Sequence, residues 1–208
     1  MSVIAELASS IGKRDEAPNI DLAIRIITKK NSKAITELVD CLPTAKKDIR
    51  SDAIKVIYEI GERKPELIAE HVTDFISLLV TNDNRLLWGL VTALDTITLI
   101  KPKEVYRSLS AIIDASNQGS VIAKDHAVGI LIKLATVKAY ASKVLPLLFD
   151  ELKQAPENQF PMYAEQTAPI ITDSSKAAFA SILTARLKKI DKESKKKRIE
   201  KVLKKLGA

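Results

Sequence analysis

The chain has 208 residues, of which 46% are hydrophobic and 28% charged, and its formal net charge is +7. Its 6 glycines and 8 prolines make up roughly 7% of the residues, against about 12% in an average protein, which argues against a turn-rich β-sandwich or β-barrel. No uncharged run exceeds nine residues, so a membrane-spanning helix of about 18 apolar residues is not expected. Glu6 interrupts the N-terminal apolar stretch, and we therefore expect a cytoplasmic protein without a secretory signal.

Apolar residues recur at spacings of three and four along the whole chain, which predicts an all-helical protein. Residues 3–30 are predicted to form an N-terminal helix pair whose apolar residues Val3, Ile4, Leu7, Ile24 and Ile27 face inward. Asn31 provides a helix N-cap, and Gly61 is expected to lie in a turn. Helices of about 12 to 18 residues with short connections follow from these signals.

A repeat underlies the helices. One set of helices carries paired apolar residues at intervals of 37, 37 and 36 residues. These pairs are Leu38 and Val39, Phe75 and Ile76, Ile112 and Ile113, and Leu148 and Phe149. Such a spacing is typical of a fold built from stacked helix pairs.

The helices between these pairs share a second pattern. They begin with a basic residue at Arg50, Arg85 and Lys124, and a small residue follows three positions later except at Trp88. A last copy begins at Lys196, which is 146 residues or four repeats after Arg50. Residues 186–205 hold 11 basic and 3 acidic residues, a net charge of +8, so the rest of the chain sums to −1. The repeat register predicts that this basic segment is the final helix and not a disordered arm.

Helix pairs of 36 to 37 residues with a basic start to each second helix resemble HEAT and armadillo-type repeats. The resemblance implies an all-α, right-handed α-solenoid (superhelix) of about five antiparallel helix pairs, in which second helices line the concave face. It implies a single domain over residues 1–208, with a capping pair at 3–30, central repeats at 31–171 and a C-terminal capping pair at 172–208. Pro161 and Pro169 depart from the pattern and predict a short or irregular second helix within 156–171.

No group of residues in the sequence suggests catalysis, a cofactor or a metal. The glycines are scattered, so no phosphate-binding loop is present, and His71 and His126 are isolated from each other and from the single Cys41. Cys41 lies at a helical apolar spacing, which is typical of a buried small hydrophobic residue. We therefore expect a non-enzymatic protein without cofactors.

The resemblance suggests that the concave second-helix face binds a protein or a peptide. The candidate residues for this groove are Arg50, Lys55, Glu59, Arg85, Trp88, Thr92 and Lys124. Two interpretations of the recurring basic residues remain open: a structural ladder with Asp48, Asp83 and Asp125, or a basic stripe that binds an anionic partner. Trp88 is expected either in the core or in the groove as an aromatic anchor.

An alternative function is nucleic-acid binding through backbone contacts from the groove and the basic C-terminal helix. The candidate anion-binding residues of that helix are Lys195, Lys197, Arg198, Lys201, Lys204 and Lys205. A solvated cap that keeps the last repeat soluble would have the same composition. A catalytic version of the alternative would resemble the HEAT-like alkylpurine DNA glycosylases, with Trp88 and Asp95 as the aromatic residue and the acid.

Overall fold

A computed structural model describes residues 2–207 of the chain. The described residues form α-helices joined by short turns and 3-10 helices, and they contain no β-strand. The chain divides into two compact units, residues 1–127 and 128–208, and the boundary falls inside a helix. The prediction of an all-α fold is confirmed.

The first unit contains seven complete α-helices and the beginning of an eighth. These are α1 (Ala17–Lys29), α2 (Ser32–Cys41), α3 (Lys47–Arg63), α4 (Val72–Ser77), α5 (Asn84–Ile97), α6 (Pro102–Arg107), α7 (Leu109–Gln118) and α8 (Val121–Thr136). The 3-10 helices of this unit are Val3–Glu6, Pro65–Leu67 and Ala69–His71.

Helix α3 is the centre of the first unit. It packs against α1 and α5, while α2 lies against α3 and α4 lies against α5. Every residue from 53 to 61 is buried, including Lys55 and Glu59. A helix that is covered around its whole circumference contributes more to the core than an amphipathic surface helix does.

Two glycines allow α3 and α5 to approach closely. A Cβ atom added at Gly61 would lie 2.5 Å from Thr96 Oγ1, and one added at Gly89 would lie 2.5 Å from Ile54 Cγ1. The prediction that Gly61 lies in a turn is therefore wrong, because Gly61 is buried inside α3. Glycine in a helix costs about 1 kcal/mol relative to alanine, and here the close helix packing offsets that cost.

The N-terminal segment differs from the predicted helix pair in its first half. Val3–Glu6 is a single 3-10 turn, although Val3 and Leu7 are buried as expected. Ile24 is 45% exposed, so its predicted inward orientation is wrong. Helix α1 instead buries Asn19, Leu22, Ala23 and Ile26. Two side chains fix the segment that precedes α1: Asn19 Oδ1 accepts from the Ala8 amide, and Asp52 accepts from Asn19 Nδ2 and from the Ser9 amide.

The second unit contains four complete helices. These are α9 (Ala141–Gln154), α10 (Phe160–Thr167), α11 (Asp173–Leu187) and α12 (Glu193–Leu206), with a 3-10 helix at Ala168–Ile170. Helix α11 packs against α9 and α12, and α12 also packs against α10. Helix α10 has only eight residues, with Pro161 in its first turn and Pro169 in the 3-10 helix that follows, so the prediction of a short second helix is confirmed.

Arg186 holds the end of α9 against α11. Its guanidinium donates to the carbonyl oxygens of Lys153 and Ala155 at 2.5 Å and lies 4.7 Å from the centre of the Phe160 ring. The last carbonyl groups of a helix have no partner within the helix, and a basic side chain satisfies them.

The basic C-terminal segment forms a packed helix. Ile199 and Val202 of α12 are buried, Leu203 and Leu206 are half-buried, and Gly207 ends the helix with a φ of +68°. None of the helices within residues 2–207 combines the length and the apolar character that a membrane crossing requires.

Candidate partner-binding surface

The structure brings four of the seven predicted groove residues together on α3 and α5. Lys55 and Glu59 are one turn apart on α3, and Arg85 and Trp88 are one turn apart on α5. Glu16, which immediately precedes α1, reaches both helices, because its carboxylate contacts Lys55 and Arg85. We call Glu16, Lys55, Glu59, Arg63 and Arg85 the charged cluster.

The charges in this cluster alternate in sign. Lys55 Nζ lies 2.6 Å from Glu59 Oε1 and 3.0 Å from Glu16 Oε2. Arg63 pairs with the other oxygen of Glu59, and Arg85 pairs with the other oxygen of Glu16. The order is therefore Arg63, Glu59, Lys55, Glu16, Arg85, with an arginine at each end and a net charge of +1.

Burial and pairing act in opposite directions on these groups. Burial alone would raise the pKa of Glu16 and Glu59, but hydrogen bonds from Lys55 and the arginines hold both below the usual range. Burial would lower the pKa of Lys55, and hydrogen bonds with Glu59, Tyr58 and Glu16 instead raise it. Glu16, Glu59 and Lys55 are consequently all charged at neutral pH, and the two carboxylates compensate the buried ammonium group.

Two aromatic rings border the cluster. The Tyr58 and Trp88 ring centres are 5.3 Å apart, and the Arg85 guanidinium lies 4.3 Å from the centre of the Trp88 ring. Lys55 Nζ lies 4.8 Å from the centre of the Tyr58 ring. Tyr58 is buried, whereas Trp88 is only half-buried. Trp88 thus lies at the surface beside the cluster and is not enclosed in the core.

Arg50 has a different neighbourhood from the cluster. Its Nη2 atom donates to Asp83 Oδ2 at 2.7 Å, and the two side chains are 22% and 9% exposed. Asp83 also accepts from the amides of Arg85 and Leu86 and so caps α5. This pair connects one repeat to the next, as the ladder interpretation predicts for Arg50. Arg85 instead pairs with Glu16, and Lys124 is half-buried on α8.

Thr92 offers little to a partner. It is buried, and its hydroxyl donates to the Trp88 carbonyl one turn earlier on α5 at 2.8 Å. This bond is the common use of a threonine hydroxyl inside a helix. Thr92 is therefore not accessible to a partner.

The acid of the catalytic alternative is engaged elsewhere. Asp95 Oδ2 lies 2.9 Å from His126 Nδ1, so the carboxylate joins α5 to α8. His71 Nδ1 similarly lies 3.1 Å from Asp74 Oδ2 within its own turn. In the part of the chain that the structure describes, no three His, Cys, Asp or Glu side chains are placed to hold a metal ion.

Cys41 is half-buried in α2, and its thiol donates to the Leu38 carbonyl at 3.1 Å. Burial raises the pKa of Cys41 to about 11, and the nearby carboxylates of Glu37 and Asp40 add to that effect. The reactive thiolate is therefore scarce at neutral pH, which fits an inert cysteine.

The six candidate residues on α12 fall into two groups. Lys195 Nζ lies 2.9 Å from Glu157 Oε1 and 2.6 Å from Asn158 Oδ1, and Arg198 makes two hydrogen bonds to the Glu165 carboxylate at 2.8 and 2.6 Å. The other four form no ion pair with a residue in the range 2–207. They are the exposed lysines Lys197, Lys201, Lys204 and Lys205.

Sequence reasoning missed three residues of this site: the exposed Glu16 and Arg63, and Tyr58, which is buried beside Trp88. Arg63 follows Glu59 by four residues, and that spacing on a helix is a detectable signal for an ion pair. Glu16 carries no such signal, because its partner Arg85 is 69 residues away in the sequence.

No family model and no curated protein matches this sequence. Solved structures do match. A designed armadillo repeat protein in complex with the peptide (KR)4 superposes with a TM-score of 0.67 at 17% identity, covering 88% of this chain and 85% of its own. A second designed armadillo repeat protein gives 0.65 at 16% identity, covering 89% and 86%. An engineered protein gives 0.66 at 15% identity, covering 100% and 97%. The chain has the armadillo/HEAT-type helical repeat fold, an all-α solenoid.

Proposed function

We propose that this chain is a non-enzymatic interaction module that binds a peptide segment of a protein partner at the charged cluster and Trp88. The observation that carries the proposal is a half-buried tryptophan that contacts the Arg85 guanidinium and the tilted ring of Tyr58. Beside it lies a preformed set of ion pairs whose outer members, Glu16, Arg63 and Arg85, are partly exposed to solvent. Tryptophan, tyrosine and arginine are the residues that contribute most often to binding hot spots. Ion pairs that are already formed reduce the ordering cost of binding.

The charge order of the cluster indicates an acidic partner segment. Each carboxylate is already shared between two cations, since Glu16 contacts Lys55 and Arg85, and Glu59 contacts Lys55 and Arg63. Each terminal arginine has five N–H donors, of which the cluster uses few. A peptide with one or two carboxylates and an apolar side chain for Trp88 therefore fits this surface.

The designed relative in complex with (KR)4 binds a peptide of the opposite charge. The shared fold supports peptide binding in general, and the side chains of each protein decide the charge of the peptide. In this chain the charged cluster has three cationic and two anionic side chains, and this excess of positive charge supports an acidic peptide.

A peptide-display selection against the full chain tests the proposal, with affinities then measured from the fluorescence of Trp88, the single tryptophan. We expect enriched peptides to contain Asp or Glu next to an apolar residue. Arg85→Gln and Arg63→Gln should each weaken binding about tenfold, equivalent to 1.4 kcal/mol. Arg25→Gln removes the same charge from an exposed pair with Glu6 and should change the Kd less than twofold.

Two outcomes would contradict the proposal. One is that the selection enriches basic peptides or enriches no peptide at all. The other is binding of acidic peptides that Arg85→Gln and Arg63→Gln leave unchanged, because such binding would occur on another surface.

A further inference from the structure

Helix α12 presents an outward row of lysines that the peptide-binding surface does not use. Lys197, Lys201, Lys204 and Lys205, which we call the lysine stripe, are exposed. The first three lie on the side of the helix opposite the buried Ile199 and Val202, and Lys205 lies at the edge of that side, one turn after Val202. At a rise of 1.5 Å per residue, residues 197 to 205 span about 12 Å along the helix axis. Four positive charges therefore lie along a little over two turns of one helix.

Helix α12 itself holds two acidic residues, Glu193 and Glu200, against seven basic ones, so the stripe keeps a net positive charge. Glu157 is bound to Lys195, and both oxygens of Glu165 are bound to Arg198. These two contacts fasten α12 to the segment 157–165 and so hold the stripe in a fixed orientation. The pKa of Glu165 is lowered mainly by Arg198, with smaller effects from Lys201 and Lys205. The exposed Lys188, Lys189 and Lys192 extend the basic surface before the helix begins.

The residues around the stripe argue against two classes of anionic partner, namely membranes and single-stranded nucleic acid. An amphipathic helix binds a membrane by inserting its apolar side, but here Ile199 and Val202 are buried in contacts with other helices. Proteins that bind single-stranded nucleic acid stack bases on aromatic side chains. Residues 180–208 contain no aromatic residue, and Tyr163 and Phe179 are fully buried.

We propose that the lysine stripe binds the phosphate backbone of double-stranded nucleic acid without recognising its bases. A duplex carries one negative charge per about 1.7 Å of axis, which is dense enough to contact all four lysines together. Lysine ammonium groups act as point charges for phosphate and, without neighbouring Asn, Gln or free Arg side chains, provide no base readout.

The test is fluorescence anisotropy of the full chain with a labelled 20-base-pair DNA duplex between 50 and 200 mM NaCl. Release of counterions from about four phosphates predicts a slope of log Kd against log salt of about 3.6, or roughly 150-fold weaker binding over this range. A double-stranded RNA of the same length should bind with a similar slope, because the contacts are to phosphates.

Two matched variants separate the stripe from overall charge. The stripe variant changes Lys197, Lys201, Lys204 and Lys205 to Gln, and the control changes the exposed Lys33, Lys46, Lys64 and Lys103 to Gln, with the same loss of charge. At 50 mM NaCl we expect roughly 100-fold weaker binding for the stripe variant and less than threefold for the control. A third variant with arginine at the four stripe positions should bind as the unmodified chain does, and circular dichroism should show the same helix content in all four proteins.

Several results would overturn the proposal. Equal losses in the stripe variant and the control would show a nonspecific charge effect. Absence of duplex binding at 50 mM NaCl, or duplex binding that does not weaken as the salt concentration rises, would also contradict the proposal. Tighter binding to single-stranded DNA, to vesicles containing phosphatidylserine, or to polyglutamate would assign the stripe to another class of anion. Arg85→Gln should leave duplex binding unchanged, which keeps this test independent of the peptide proposal.

Discussion

At the scale of single residues, Asp83 shows how one side chain stabilises two elements. One of its oxygens accepts from the amides that begin α5, and the other pairs with Arg50 on α3. Burial alone would raise the pKa of Asp83, but the hydrogen bonds from Arg50 and from the two amides lower it below the usual range. The carboxylate form is therefore the one that the folded state stabilises.

We predict that Arg50→Gln lowers the free energy of unfolding by about 1–2 kcal/mol at pH 7, because it leaves Asp83 partly buried without its charged donor. Arg25 and Glu6 form a pair of similar length, 2.6 Å, with both side chains more than 40% exposed. Arg25→Gln should cost less than about 0.5 kcal/mol, because water screens exposed pairs. Urea denaturation measures the free energy of unfolding of both variants. An equal loss in the two variants would contradict a special stabilising role for the Arg50–Asp83 pair.

The same pair makes stability depend on pH in a defined direction. Because the pKa of Asp83 is lowered on folding, its contribution is fully present above the ordinary aspartate pKa of about 3.9. It is lost as the pH falls through the lower pKa of the folded state. The difference between the unmodified chain and Arg50→Gln should therefore be constant from pH 5 to 7 and shrink below pH 4.

At the scale of helices, the α3–α5 contact determines where the candidate surface lies. Gly61 and Gly89 bring these helices close enough for Tyr58 on α3 to meet Trp88 on α5. A larger side chain at either glycine would separate the helices and the two halves of the charged cluster. The packing of the core and the geometry of the surface are thus linked.

We predict that Gly89→Ala lowers the free energy of unfolding by about 1–2 kcal/mol, because overpacking against Ile54 exceeds the gain of about 1 kcal/mol in helix propensity. Ile54→Ala removes the two Cγ atoms that the new Cβ would crowd and leaves only an ordinary contact with Cβ of residue 54. In that background, Gly89→Ala should be neutral or stabilising, as measured by urea denaturation in a double-mutant cycle. A cost that is the same in both backgrounds would show that the two residues are not coupled.

Helix positions were more predictable than side-chain partners. The repeated apolar pairs, the N-cap at Asn31 and the short helix near Pro161 follow from local chemistry, and the structure shows them. Gly61 and Ile24 were mispredicted because their environments depend on which neighbouring helix packs where. The contact between Glu16 and Arg85 depends on the path of a loop, which leaves no periodic signal in the sequence.

At the scale of the whole molecule, both proposed surfaces depend on one claim, namely that the chain consists of stacked helix pairs up to its basic end. The repeat spacing predicted this arrangement, and the solved armadillo structures have the same fold at 15–17% identity. The spacing was detectable because each pair must bury apolar residues at the same positions. The partner was not predictable in the same way, because surface residues are free to differ between proteins with one fold.

Hydrogen–deuterium exchange of the full chain tests this claim most directly at α12. If α12 is the last packed helix, the amides of residues 199–203 should exchange slowly, with protection similar to that of α10 and α11. Complete exchange of these amides within seconds, while α10 and α11 remain protected, would show that the basic end is not part of the stacked structure and would contradict the account.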